Sequence, residues 1–76
     1  MSQEQVYDFR GEDCPGPLMK AIRRVWRSPI GSITKVLTDN EKCVKLIKEM
    51  AADLMLGSVK VEDKGDYMLV IIRREG

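Results

Sequence analysis

The chain has no histidine, and its 76 residues include only two cysteines, Cys14 and Cys43. Without histidine, the Cys-His pair that activates a hydrolytic cysteine cannot form. Two thiolates are also too few for a four-ligand zinc site. A cysteine protease and a structural zinc domain are therefore disfavoured, and we expect neither a metal site nor another cofactor.

Long apolar runs and a large charge imbalance are also lacking. No stretch approaches the roughly 18 apolar residues of a membrane span, and residues 1–5 lack the basic and apolar regions of a signal peptide. A formal net charge of +1 gives no overall attraction to nucleic acid or to a membrane. We therefore expect a cytoplasmic protein. A disulfide between the two cysteines is possible in principle, but a reducing compartment favours free thiols.

Aromatic residues are scarce, and this argues against an RNA-binding domain. Tyr7, Phe9, Trp26 and Tyr67 are the four aromatic residues. No predicted strand carries an obvious pair on which bases would stack, and Trp26 belongs to the predicted buried side of a helix. Direct contact with nucleic acid is not expected.

The first half of the chain has the pattern of a β-α-β unit. Residues 6–10 are strand-like, because Tyr7 and Phe9 alternate with the charged residues Asp8 and Arg10. A helix with a cationic outer face follows Gly11 and ends before Pro29. Residues 33–38 are rich in β-branched side chains and predict a second strand. The buried side of the helix is predicted to consist of Leu18, Met19, Ile22, Val25 and Trp26.

The second half predicts a helix followed by a β-hairpin. Residues 38–41 have the Thr-x-x-Glu form of a capping box, with Asp39 and Asn40 as alternative N-caps. Gly57 is expected to cap the C terminus of this helix. Two strands, 58–62 and 67–74, flank a turn at 63–66. The apolar stripe, which places Cys43 in the core, consists of Cys43, Val44, Ile47, Met50, Ala51, Leu54 and Met55.

The predicted order of elements is β-α-β-α-β-β within one domain, residues 1–76. A chain of this size has room for a single core, and two helices can cover only one face of a four-stranded sheet. We therefore expect a two-layer α/β sandwich with a four-stranded mixed sheet and both helices on one face. Periodicity does not predict the order of the strands.

The candidate site is Cys14, which is followed by Pro15, Gly16 and Pro17 at the start of the first helix. Proline suits the first helical turn, because the amide hydrogen that it lacks would have no partner there. This predicts that Cys14 is the N-cap of the helix. The free amides and the positive end of the helix dipole would then favour a thiolate.

Charged residues around Cys14 act in opposite directions. Arg10 favours an anionic sulfur if it turns toward the cap, whereas Glu12 and Asp13 oppose it. The sequence therefore leaves the direction of the Cys14 pKa shift open. Asp8 is expected to anchor the loop by accepting backbone hydrogen bonds.

The outer face of the first helix carries four basic residues. Such a face is more often solvated than used in binding. It begins one turn from Cys14, however, and this proximity suggests that it docks an acidic surface on a partner. The four residues are Lys20, Arg23, Arg24 and Arg27.

The segment Asp-Phe-Arg-Gly-Glu-Asp-Cys-Pro-Gly-Pro, residues 8–17, resembles the D-x-R-G-x-x-C-P-x-P signature of the TusA (SirA-like, YhhP-like) sulfur carrier family. The resemblance extends over the whole chain in length and element order. This sequence departs from the family pattern at Glu12, where an apolar residue is usual, and at Glu41, where many members have proline. The motif residues that support the cysteine are Asp8, Arg10, Gly11, Pro15, Gly16 and Pro17.

The resemblance implies a two-layer sandwich that carries sulfur as a persulfide on Cys14. It also implies a donor protein, such as a cysteine desulfurase or a rhodanese, and a downstream acceptor protein. Family members pass sulfur to tRNA thiolation, to molybdenum cofactor assembly or into sulfur oxidation, and the cargo can be a persulfide or a thiosulfonate.

Two functional classes remain in competition. A sulfur carrier needs an exposed thiol and a surface that two partners use in turn, and it acts by sulfur transfer rather than as a stand-alone enzyme. A non-carrier adaptor or regulator on the same fold would not need Cys14. A thioredoxin-like enzyme is set aside, since Pro17 stands where the second cysteine of Cys-x-x-Cys would be.

Overall fold

The structure, a computed structural model, describes residues 4–11 and 16–75, with only the backbone of residues 16 and 17. The predicted order of elements is confirmed, with boundaries that differ by a few residues. The elements are β1 (Glu4–Asp8), α1 (Gly16–Arg27), β2 (Ile33–Thr38), α2 (Glu41–Asp53), β3 (Gly57–Asp63) and β4 (Met68–Arg74).

The four strands form one mixed sheet in the order β1-β2-β4-β3. β1 pairs with β2 in parallel, and β4 pairs with both β2 and β3 in antiparallel fashion. The register aligns Tyr7, Val36, Val70 and Val61 in one row across all four strands. This row faces the core, because Val36 and Val70 are fully buried and the other two pack against the same cluster.

Both helices lie on this face of the sheet and share its core. Leu18, Val25 and Ile47 are almost completely buried together with Val36 and Ile72 of the sheet. Their burial in one cluster confirms the predicted two-layer sandwich. Among the described residues, no helix is long and apolar enough to cross a membrane.

The apolar side of α1 is wider than its contact with the sheet. Leu18, Ile22 and Val25 are buried as predicted, but Met19 is 39% and Trp26 is 51% exposed. The prediction that these two side chains belong to the core is therefore wrong. Met19 and Trp26 are seven residues apart and so lie on the same side of the helix. They form the edge of the apolar stripe and not its centre.

α2 begins at one of the two alternative caps and ends differently from the prediction. Asn40 is the N-cap, since its side chain accepts a hydrogen bond of 2.9 Å from the amide of Lys42. At the other end, the amides of Met55 and Leu56 donate to the carbonyls of Ala52 and Ala51. This is the Schellman pattern, in which the residue after the cap adopts a left-handed conformation. Met55 takes that place with φ 53°.

Gly57 therefore does not cap α2, and the predicted role for this glycine is wrong. It is instead the first residue of β3, with φ 139°. A Cβ at this position would overlap the carbonyl oxygen of Arg73 and lie 2.7 Å from the amide nitrogen of Glu75. Glycine allows β3 to approach the end of β4 this closely.

Candidate functional site

The parallel pairing of β1 and β2 brings two loops to the same edge of the sheet. The segment after β1 leads toward α1, and the segment after β2 leads into α2. The amide of Phe9 donates to the carbonyl of Leu37 at 2.8 Å, which extends the pairing past the end of β1. The amide of Gly11 then donates to Oδ2 of Asp39 at 3.1 Å. The first part of the motif is thereby attached to the start of α2.

Asp8 and Arg10 form a two-pronged ion pair at the beginning of the motif. Nε of Arg10 lies 2.9 Å from Oδ1 of Asp8, and the terminal nitrogen Nη2 lies 2.7 Å from Oδ2. The backbone amide of Arg10 also donates to Oδ1 at 3.1 Å, as expected of an aspartate that anchors the loop. These hydrogen bonds lower the pKa of Asp8 to about 2 and raise that of Arg10.

The guanidinium of Arg10 is thus engaged from two directions. It pairs with Asp8 and lies over the ring of Tyr67, 5.3 Å from the ring centre. Tyr67 lies in the turn between β3 and β4, directly before β4, and Asp39 lies between β2 and α2. The motif is thus braced from β1, from the β2–α2 loop and from the hairpin. Arg10 holds the loop through Asp8, and Asp39 has the same anchoring role at Gly11.

Sequence reasoning missed Asp39 and Tyr67 as supports of the motif. The sequence predicts Asp39 as an alternative helix cap and Tyr67 as a strand residue. A signal for Asp39 exists, because the residue directly after β2 lies beside the segment after β1 once the two strands are known to be parallel neighbours. Tyr67 has no comparable signal, since its place depends on the strand order.

Cys14, the predicted carrier residue, lies outside the described residues, together with Glu12, Asp13 and Pro15. The described chain resumes at Gly16, the first residue of α1, and the motif proline Pro17 is the second. Residues 12–15 therefore connect the anchored Gly11 to the first turn of α1. The prediction that Cys14 is the N-cap falls in this segment.

Cys43 lies in the first turn of α2 and is only 1% exposed, which confirms its predicted burial. It is disulfide-bonded. The expectation of free thiols is therefore wrong for this residue. The first turn of α2 lies at the sheet edge reached by the segment after β1. The other cysteine of the sequence, Cys14, falls between Gly11 and the start of α1.

The basic residues of α1 are all exposed, as the helical pattern predicts. Lys20, Arg23, Arg24 and Arg27 point away from the core. Four ion pairs occur among the described residues, 4–11 and 16–75. Their basic partners are other residues, namely Arg10, Lys35, Lys60 and Lys64. The positive charge of the α1 face is thus not neutralised within the described part of the chain. No group of three or more metal-ligating side chains occurs there either.

Comparison with known proteins agrees with the motif and the fold. The model of the family described as Sulfurtransferase TusA matches residues 5–74. A protein of Archaeoglobus fulgidus, named as a candidate sulfur carrier protein, is 32% identical over 69 residues, which cover 91% of this chain and 94% of that protein.

The crystal structure of a SirA-like protein from Desulfitobacterium hafniense has the same fold. The TM-score is 0.78 at 23% identity, and the match covers 95% of this chain and 99% of that chain. At this level of identity the likeness concerns the fold alone. The family model spans nearly all of the sequence, however, and the archaeal relative agrees with it: the chain belongs to the TusA family of sulfurtransferases.

Proposed function

We propose that this protein is a sulfur carrier that holds sulfane sulfur on Cys14 as a persulfide and relays it between partner proteins. Membership of the TusA family and the sulfur-carrier name of the archaeal relative support a carrier role. The observation that carries the proposal is the fixed base of the motif. Asp8, Arg10 and Gly11 are hydrogen-bonded in place, and α1 begins at Gly16, after four intervening residues.

The proposed chemistry is thiol exchange. The Cys14 thiolate attacks the terminal sulfur of a donor persulfide, the bond between the two donor sulfurs breaks, and the donor leaves as a thiolate. The transferred sulfur is then bonded to Cys14. An acceptor thiolate attacks that sulfur in the same way and regenerates the Cys14 thiolate. Once the disulfide of Cys43 has been reduced, each transfer step exchanges one S–S bond for another, so the transfer itself requires no oxidant or reductant.

The protein contributes position and charge rather than an acid or a base. Cys14 precedes the first residue of α1 by two positions in the sequence. We propose that its sulfur lies beside the amides that have no partner within the helix. These amides and the helix dipole stabilise an anionic sulfur. Arg10 acts less directly, because its guanidinium is occupied by Asp8.

The partners that we propose are a donor, such as a cysteine desulfurase or a rhodanese, and an acceptor protein. Candidate destinations of the sulfur are tRNA thiolation, cofactor assembly and sulfur oxidation. The exposed basic residues of α1, which begin four residues after Gly16, are proposed to contribute to docking by long-range attraction of acidic surfaces.

Intact-mass spectrometry tests the carrier role. The protein is first reduced, because Cys43 is disulfide-bonded, and is then freed of reductant and incubated with polysulfide or with a cysteine desulfurase and cysteine. We expect a mass gain of one or more sulfur atoms that reductant removes. Cys14→Ser should gain nothing, and the matched Cys43→Ser variant should load normally. A Cys14→Ser protein that still loads and delivers sulfur would refute the carrier mechanism and support the adaptor alternative.

A further inference from the structure

An apolar groove lies between α1 and α2, and all of its described lining residues come from these two helices or the residue that follows α2. Its volume is about 380 Å³. Met19, Ile22 and Trp26 line it from α1, and Met50 and Leu54 line it from α2. Met19, Trp26 and Leu54 are 39%, 51% and 39% exposed, so that apolar surface is open to solvent.

Two arginines, Arg23 and Arg27, complete the described lining of the groove. Across residues 4–11 and 16–75, neither guanidinium takes part in an ion pair or a side-chain hydrogen bond. No acidic residue is among the described residues that line the groove. The groove thus combines an apolar floor with a positive rim that lacks its counter-charge.

We propose that this groove docks an amphipathic helix of a partner protein whose apolar face is flanked by aspartate or glutamate. The proposal rests on the proposed carrier function, for which it specifies how a sulfur-transfer partner is recognised. Apolar anchors of a bound helix would fill the groove, and its acidic residues would pair with Arg23 and Arg27. Charge complementarity gives such a contact its specificity.

The dimensions of the groove suit a helix. Met19 and Trp26 are seven residues apart on α1, which is about 10 Å at 1.5 Å per residue. This length matches anchors at positions i, i+4 and i+7 of a bound helix. Met19 also lies three residues after the start of α1, so a helix in the groove ends near the first turn of α1, which closely follows Cys14 in the sequence.

Methionine and charge further restrict the choice of occupant. Met19 and Met50 are flexible side chains that repack around different apolar surfaces, as a carrier with a donor and an acceptor requires. A second copy of this chain fits less well, because a two-fold contact through α1 would place the same arginines against each other. The acidic partner helix is therefore the occupant to test.

Trp26 is the only tryptophan of the chain and reports directly on the groove. The probe is a synthetic helical peptide with leucines at i, i+4 and i+7 flanked by glutamates, and the matched control peptide carries lysines in their place. The glutamate peptide should shift the emission of Trp26 to shorter wavelength. It should bind about tenfold tighter than the lysine peptide at low salt, and the difference should shrink as salt is added.

Variants assign the binding to the groove. Leu54→Glu should weaken binding of the glutamate peptide at least tenfold. The matched control is Ile30→Glu, which also replaces an exposed apolar side chain, 71% exposed and outside the described lining of the groove. Reversal of Arg23 and Arg27 to glutamate should transfer the preference to the lysine peptide. Circular dichroism checks that each variant is folded.

The outcomes separate this proposal from the carrier function. Polysulfide is a small donor that needs no docking surface, so every groove variant should still gain sulfur on Cys14. Equal binding of the two peptides, an unchanged Trp26 emission, or a concentration-dependent dimer that buries Trp26 would overturn the groove proposal, even if loading is normal. Failure of the wild-type protein to load would instead refute the carrier role, whatever the peptides do.

Discussion

Replacement of Gly57 by alanine tests how closely the start of β3 must approach the end of β4. Gly57 has φ 139°, and an added Cβ would overlap the carbonyl oxygen of Arg73 and lie 2.7 Å from the amide nitrogen of Glu75. Because both contacts are with the backbone, no side-chain rotation relieves them. The start of β3 must therefore move away from the end of β4.

The cost has two parts. Holding a residue other than glycine at such a φ costs about 1 to 3 kcal/mol. Separating the strands weakens the neighbouring hydrogen bond from the amide of Glu75 to the carbonyl of Leu56, 3.1 Å long, and such a bond contributes about 1 kcal/mol. We expect Gly57→Ala to lower the free energy of unfolding by about 2 to 4 kcal/mol. At about 4 to 8 °C per kcal/mol, this lowers Tm by roughly 10 to 30 °C.

Thermal and urea unfolding, followed by circular dichroism, measure this loss. Gly65→Ala is the matched control, because Gly65 has φ 91° but no atom within 4 Å of the added Cβ. It should lose only the conformational part, about 1 kcal/mol. The reasoning fails if Gly57→Ala is no less stable than Gly65→Ala, since the overlap with Arg73 would then cost nothing.

Two further predictions concern Met55 and Asp8. Met55 is 82% exposed and holds a left-handed φ of 53°, so Met55→Gly should raise the free energy of unfolding by about 0.5 to 1 kcal/mol, and a lower urea midpoint would contradict this. The pKa of Asp8 is about 2 against an ordinary 3.8, so its pairing with Arg10 should persist as pH falls to about 4 and disappear as pH falls toward 2. Carboxyl NMR titration should show that Arg10→Ala returns this pKa toward 3.8, and an unchanged pKa would refute the assignment to Arg10.

Much of the fold could be predicted from the sequence because its local signals agree. The β-branched run predicts the bounds of β2 at Ile33–Thr38 without error. Helical spacing locates both helices, Asn40 marks the start of α2, and the buried positions Leu18 and Ile47 follow from the same spacing. These features depend on residues that are close together in the sequence. Hydrophobic periodicity and helix-capping preferences describe such residues well.

The features that could not be predicted depend on contacts between distant parts of the chain. Spacing shows that Met19 and Trp26 are on the apolar side of α1, but not that the sheet stops short of them. The role of Gly57 is set by β4 and not by α2, which is closer in sequence. Likewise, Asp39 supports Gly11 only because β1 and β2 are neighbours.

The order of the strands has a consequence for how the chain folds. β4 lies between β2 and β3 in the sheet, yet it comes after both of them in the sequence. Until β4 emerges from the ribosome, β3 has no neighbour with which to pair, and the sheet consists of β1 and β2 alone. Val70 and Ile72, which complete the core beneath both helices, also arrive with this strand. The core can therefore be completed only when β4 is present to pair with both β2 and β3.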